Sequence, residues 1–188
     1  MTEQMSKAAI VKNLSLVADW LRAKYPGRCY ELEVAGGAAL AFLGCKSATI
    51  DVDVLRPRAL PAEVQEAARI VARAQGLGSA WLSTGVANVV ALVETNSTLP
   101  AYFADTTVIL EVAPNLILRI VGRQTLISLK LLAASPTERK HIADLKSLAA
   151  TSDELKVARE FVLAFDSSTP RQEDLALVLV ELEASHAG

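Results

Sequence analysis

Val34 to Leu55 reads VAGGAALAFLGCKSATIDVDVL, and this stretch decides the fold. A strand ends on a Gly-Gly pair, a short apolar helix follows, and Thr49-Ile50-Asp51-Val52-Asp53 opens a second strand. Successive side chains on a strand alternate faces, so Asp51 and Asp53 are expected to project the same way, with Thr49 on their side. Two carboxylates about 7 Å apart on one face repel unless a cation sits between them. Asp is depleted in strands, whereas Val52, Val54 and Leu55 suit a buried one, so two acids here need a reason. Mg²⁺ is one: it prefers hard oxygen ligands and commonly takes one or two carboxylates plus substrate phosphates. Gly36 and Gly37 would let backbone amides at the helix start approach a phosphate closely.

Working outward, Ile10, Leu14, Val17 and Leu21 recur at helical spacing, which predicts an amphipathic helix over residues 6 to 24, ended by Tyr25-Pro26-Gly27. Residues 29 to 35 alternate as a strand, with Tyr30, Leu32 and Val34 on one face. The helix after the glycines is expected over 38 to 43 and the acid-bearing strand over 50 to 55. Pro57 and Pro61 bracket a loop; Val64, Ala67, Ala68, Val71 and Ala74 then line a helix up to Gly76. Residues 88 to 93 read as a strand, and 107 to 112 and 116 to 121 as two strands joined by Pro114-Asn115. From Arg123 the period is helical, with capping signals at Ser135 to Glu138, Thr151 to Glu154 and Thr169 to Gln172. The expected architecture is α/β of the α+β kind. A small mixed sheet with helices fills residues 1–122, and a C-terminal helical bundle fills 123–188.

Composition narrows the classes. The 188 residues are 52% hydrophobic and 21% charged, which suits a small α/β core with a helical extension. A net charge of −2 and a pI near 5.7 give no global footprint for nucleic acid, so any RNA would be held by a local patch. Cys29 and Cys45 have no metal-ligand spacing and read as reduced cytosolic thiols. The stretch MTEQMSKAAIVKN lacks a signal peptide's apolar core. No uncharged apolar run reaches the ~18 residues of a membrane span, so no membrane partner and a cytoplasmic location are expected.

The glycine pair followed by Asp-x-Asp resembles the nucleotidyltransferase superfamily. Within it the chain looks most like the AbiEii-type toxin nucleotidyltransferases and a related bacterial group, through Gly36-Gly37-Ala38-Ala39-Leu40 and Thr49 to Asp53. A second block, Leu126 to Ala134 with Lys130, is similar to that group's Lys-bearing helix, and His141-Ile142-Ala143-Asp144-Leu145 to its Asp-bearing helix. The resemblance covers roughly residues 30 to 150.

What the resemblance implies is a nucleotidyltransferase fold and a metal-dependent enzyme of toxin–antitoxin type. It would transfer a nucleotidyl group from an NTP to an acceptor hydroxyl, plausibly an RNA or tRNA end, with a cognate antitoxin protein as partner. Asp51 and Asp53 would hold Mg²⁺ or Mn²⁺; Gly36, Gly37 and Thr49 would meet the NTP. Lys130 would face the nucleotide phosphates, and Asp144 would join the site. A third carboxylate common in the superfamily has candidates in Glu94, Asp105 and Glu111. Arg56 and Arg58 could touch triphosphate or RNA, or simply be solvated loop charges. The chain departs from the group at His141, where an acid is usual, and near Ser135, where an Arg is usual. Two alternatives follow: a degenerate, non-catalytic binding module of the same fold, and a small-molecule nucleotidyltransferase.

Overall fold

The computed structural model describes residues 4–96 and 98–184; Met1, Thr2 and Glu3 of the polar N-terminal stretch lie outside the described residues. In chain order the strands are β1 (Met5–Ser6), β2 (Tyr30–Ala35), β3 (Ala48–Thr49), β4 (Val52–Arg56), β5 (Leu82–Ser83), β6 (Thr106–Ala113) and β7 (Leu116–Val121). The helices are α1 (Lys7–Lys24), α2 (Gly36–Phe42), α3 (Ala62–Gln75), α4 (Gly85–Asn96), α5 (Arg123–Ala133), α6 (Arg139–Ser147), α7 (Ser152–Phe165) and α8 (Thr169–Ala184). The fold is mixed α+β, and the chain divides into two compact units. The first runs to Leu92 and takes in Thr106–Val121; the second joins Val93–Asp105 to the chain from Gly122 onward. Residues 93–105 therefore belong with the helices, which a single cut after residue 122 does not separate.

In the first unit five strands form one sheet in the order β5-β4-β2-β7-β6. β2 runs parallel to β7 and antiparallel to β4, β5 runs parallel to β4, and β6 closes a hairpin on β7. Register sorts the side chains by face, because paired residues point the same way. Tyr30, Leu32, Val34, Val52, Val54, Leu116, Leu118 and Ile120 share one face and are buried. The apolar stripes of α1 (Ile10, Leu14, Val17, Leu21) and α3 (Val64, Ala67, Ala68, Val71) supply further core, and the two helices pack on each other. Asn115 Nδ2 donates to the Ala18 carbonyl at 2.9 Å and pins the β6–β7 turn to α1. Trp81 Nε1 donates to the Ala68 carbonyl at 3.0 Å and ties β5's approach to α3. The other face carries Glu31, Glu33, Arg119, Glu111 and Asp53, with Ile109 left 60% exposed. One apolar face and one charged face is what a half-covered sheet requires.

The second unit is helical. α5 packs against α6 and α7, and α8 against α6 and α7. Its ends are satisfied by side chains, as orphan backbone groups demand. Arg171 donates to the carbonyls of Leu131, Leu132 and Ala134 at the end of α5, all within 2.9 Å. The expected box at Thr151 is present in both directions: Thr151 Oγ1 accepts from Glu154 N at 3.3 Å, and Glu154 Oε2 accepts from Thr151 N at 2.8 Å. Arg123 adds a hydrogen-bonded ion pair to Glu154, which holds that carboxyl below the ordinary carboxylate range.

Several expected elements fall differently. Residues 88 to 93 are helical, inside α4, not a strand. A short apolar run does not distinguish the two by period, and Ala87, Val90 and Val93 are the buried residues, spaced three apart as on one helical stripe. Gly36 and Gly37 form the first turn of α2 rather than a turn before it. The expected strand over 50 to 55 is broken: Thr49 pairs with Met5 in a separate ladder, Ile50 bends outward at 49% exposed, and β4 starts at Val52. The Ser135 signal does not cap α6, because Ser135 Oγ accepts from Glu138 N at 3.2 Å and closes a turn before the helix starts at Arg139.

Candidate functional site

Backbone pairing sets the first cluster. Ala35, the last residue of β2, is in register with Asp53 on β4, and the next residue, Gly36, turns the chain into α2 with φ of +66°. Only glycine takes that conformation without strain. It also has no room for a side chain: a Cβ on Gly36 would stand 3.0 Å from Asp53 Cβ and Cγ, and nearer still to its Oδ2. The Asp53 carboxylate therefore lies directly against the glycine backbone. A Cβ on Gly37 would stand 2.5 Å from Thr49 Oγ1. That hydroxyl donates to Asp51 Oδ1 at 3.1 Å. Gly36, Gly37, Thr49, Asp51 and Asp53 are thus contiguous, although Asp51 sits just before β4 rather than within it.

Val52 and Val54 are fully buried while Asp51 and Asp53 are half-buried, so the alternation expected of an acid-bearing strand holds across the bend. Ser83 on β5 is in register with Asp53 and brings a further hydroxyl to that face. Beside Asp51 lies a shallow cavity of about 250 Å³ lined by Ile50, Asp51, Gly78, Ser79, Ala80 and Trp81. Among the described residues no cluster of three His, Cys, Asp or Glu side chains forms. The pair offers two hard carboxylates, which fits Mg²⁺ completed by water and substrate phosphate rather than a closed all-protein cage.

Two charged residues near this cluster escaped sequence reasoning. Lys46 Nζ lies 3.9 Å from where a Gly37 Cβ would be, so a cation stands at the glycine turn. Its signal was present: Lys46 is the lone charge between Glu33 and Asp51. Glu33 on β2 is 7% exposed and shares the face of Asp53. Burial pushes its carboxyl above the ordinary carboxylate range, and Arg56, whose Nη1 donates to Glu33 Oε2 at 2.9 Å, opposes that rise.

Of the candidates for a third carboxylate, Glu111 lies away from the acid pair. Glu111 is exposed on β6, the edge strand, three strand steps or roughly 14 Å from β4. It is an edge-strand charge. Glu94 sits on a helix and Asp105 in an exposed segment, both in the second unit, and neither is on a strand.

In the second unit Lys130 on α5 and Asp144 on α6 meet at 2.6 Å, with side chains only 9% and 8% exposed. A lone charge in the apolar face of α5 requires such a partner, because an unpaired buried ion costs several kcal/mol. His141, one turn before Asp144, is half-buried. Burial and the nearby Lys130 hold its imidazole below the usual histidine range, so it is neutral at pH 7. Its Nδ1 is buried with no hydrogen-bond partner among the described residues. Arg58 follows β4 as an exposed loop residue. Among the described residues no helix is long and apolar enough to cross a membrane, and Cys29 and Cys45 are free thiols. No protein-family model matches the chain, and no curated protein matches it either.

Proposed function

We propose that the protein is a metal-dependent nucleotidyltransferase of toxin–antitoxin type, transferring a nucleotidyl group from an NTP to an acceptor hydroxyl. The observation that carries this reading is the seating of Asp53 against Gly36 with Thr49 bridging Gly37 to Asp51. An acid pair beside two glycines at a helix start brings anionic metal ligands and backbone close together, which suits a metal–polyphosphate. When bound, Mg²⁺ or Mn²⁺ would neutralise charge developing on the attacked phosphate. Asp51 and Asp53 would hold that ion. The Thr49 hydroxyl fixes the Asp51 carboxylate, and the missing side chain at Gly36 leaves Asp53 its place. Catalysis would be positioning and charge neutralisation, with no covalent step asked of the chain. An RNA or tRNA end is the proposed acceptor, an antitoxin protein the proposed partner, and the cytoplasm the proposed location; the two free thiols agree with a reducing compartment.

A second reading, a nucleotide-binding module without transfer activity, draws on one observation: Asp144 already neutralises Lys130. A small-molecule acceptor fits the net charge of −2 as well as RNA does.

Calorimetry with each Mg-NTP tests the site. Wild type should bind at least one, and Asp51→Asn or Asp53→Asn should weaken that binding about tenfold or more, since each removes an anionic ligand. Wild-type affinity in both variants rejects the metal-site assignment.

A further inference from the structure

β2 and β4 do not pair evenly. Val34 is opposite Val54 and Ala35 opposite Asp53, but Glu33 is opposite Arg56, so Leu55 is an extra residue bulged out of the ladder. In an unbroken ladder residue 56 would alternate onto the face of Val52 and Val54, both fully buried. The bulge instead turns Arg56 onto the face of Glu33 and Asp53, where its side chain is 48% exposed. Bulges beside functional sites commonly re-aim a side chain in this way. Once there, Arg56 is anchored. Its Nη1 donates to Glu33 Oε2 at 2.9 Å, and Glu33 is itself buried on the central strand of the sheet. Arg119, in register with Glu33 on the other side, donates to Glu31 at 2.5 Å and flanks the same carboxylate. Glu33, which holds the guanidinium, lies two residues along β2 from Ala35, the partner of Asp53, or about 7 Å along the sheet.

We propose that Arg56 binds the distal phosphates of a nucleoside triphosphate whose proximal phosphate is held at Asp51 and Asp53, with Glu33 as its positioning residue. The proposal rests on the Mg-NTP reading of the acid pair and adds which end of the substrate is clamped, and by what. A guanidinium presents five N–H donors in a planar fork, and phosphate oxygens suit that fork better than they suit an ammonium. The pair keeps the buried Glu33 carboxylate compensated while leaving the guanidinium 48% exposed on the face of Asp53.

The test compares each Mg-NTP with its matching nucleoside monophosphate, by calorimetry on the full chain. Arg56→Gln should weaken NTP binding about tenfold or more, the loss expected for charge-assisted hydrogen bonds, and leave the monophosphate within about twofold. Glu33→Gln, which keeps the guanidinium but loosens it, should show a smaller loss with the same NTP selectivity. Arg56→Lys guards against a folding artefact: it keeps the charge, and the ratio of NTP to monophosphate affinity should still fall. If Arg56→Gln or Arg56→Lys binds NTP with the wild-type ratio while Asp53→Asn loses it, the Arg56 assignment is wrong and the acid-pair site stands. If wild type binds no NTP at all, both are overturned.

Discussion

Lys130→Ala will destabilise the protein by about 3–5 kcal/mol, the usual result of stripping one partner from a buried ion pair. The loss is large because Asp144, with a side chain 8% exposed, would lose its 2.6 Å ion pair while remaining a buried carboxylate. Asp144→Ala should cost a similar amount. The double replacement Lys130→Met, Asp144→Leu should return to within about 1 kcal/mol of wild type, since apolar packing often equals a buried pair. Urea unfolding of the four proteins reads this directly, and single variants that each cost under about 1 kcal/mol would show that the pair is not an energetic lock. The double variant also separates stability from chemistry. If Lys130 serves the nucleotide phosphates, it will be stable and inactive. His141 adds a pH signature to the same curves. Its folded pKa lies below the ordinary histidine value, so the unfolded chain takes up the proton first. This contribution to stability is present above the ordinary histidine range and is lost as pH falls through it towards the lowered value.

Gly36→Ala is the second large effect. Two costs combine: a left-handed φ of +66° in a residue with a side chain, about 1–2 kcal/mol, and a Cβ driven into the Asp53 carboxylate, about 1–3 kcal/mol more. Gly76→Ala is the control. Gly76 has φ of +69° at the end of α3, yet nothing stands within 4 Å of an added Cβ, so it should show the conformational cost alone. The difference between the two variants in urea unfolding isolates the clash. Because the clash falls on Asp53, Gly36→Ala should also lose Mg-NTP affinity, whereas Gly76→Ala should keep it. Equal stabilities and equal affinities would mean that the glycine–carboxylate contact does not matter.

Much of this architecture was legible because it follows from period and composition. The stripes Ile10-Leu14-Val17-Leu21 and Val64-Ala67-Ala68-Val71 gave α1 and α3 to within a residue or two, and Pro114-Asn115 marked the hairpin. The lone ammonium of Lys130 in an apolar helix pointed to a partner, and Asp144 on the next helix is that partner. Features set by tertiary context were not legible. Val89 and Val90 favour strands by propensity, yet the burial of Ala87, Val90 and Val93 makes that segment α4. The bulge at Leu55 leaves no mark in the sequence, so nothing there shows that Arg56 turns to Glu33. Glu33 itself reads as an outward strand residue until the register places it on the central strand beside two guanidinium groups. The seat of Asp53 on Gly36 was foreshadowed by glycines preceding acids, but the order of residues alone does not give their contact.

If Asp51 and Asp53 hold the metal for nucleotidyl transfer, replacing both carboxylates should abolish that transfer. The most direct measurement is incubation with each α-³²P-labelled NTP, Mg²⁺ and total tRNA or protein, comparing wild type with the Asp51→Asn, Asp53→Asn double variant. Wild type should label a macromolecular acceptor from one NTP, and the double variant, whose fold is retained because paired like charges repel, should lose labelling by about a hundredfold or more. Labelling by the double variant at the wild-type rate would contradict that metal assignment.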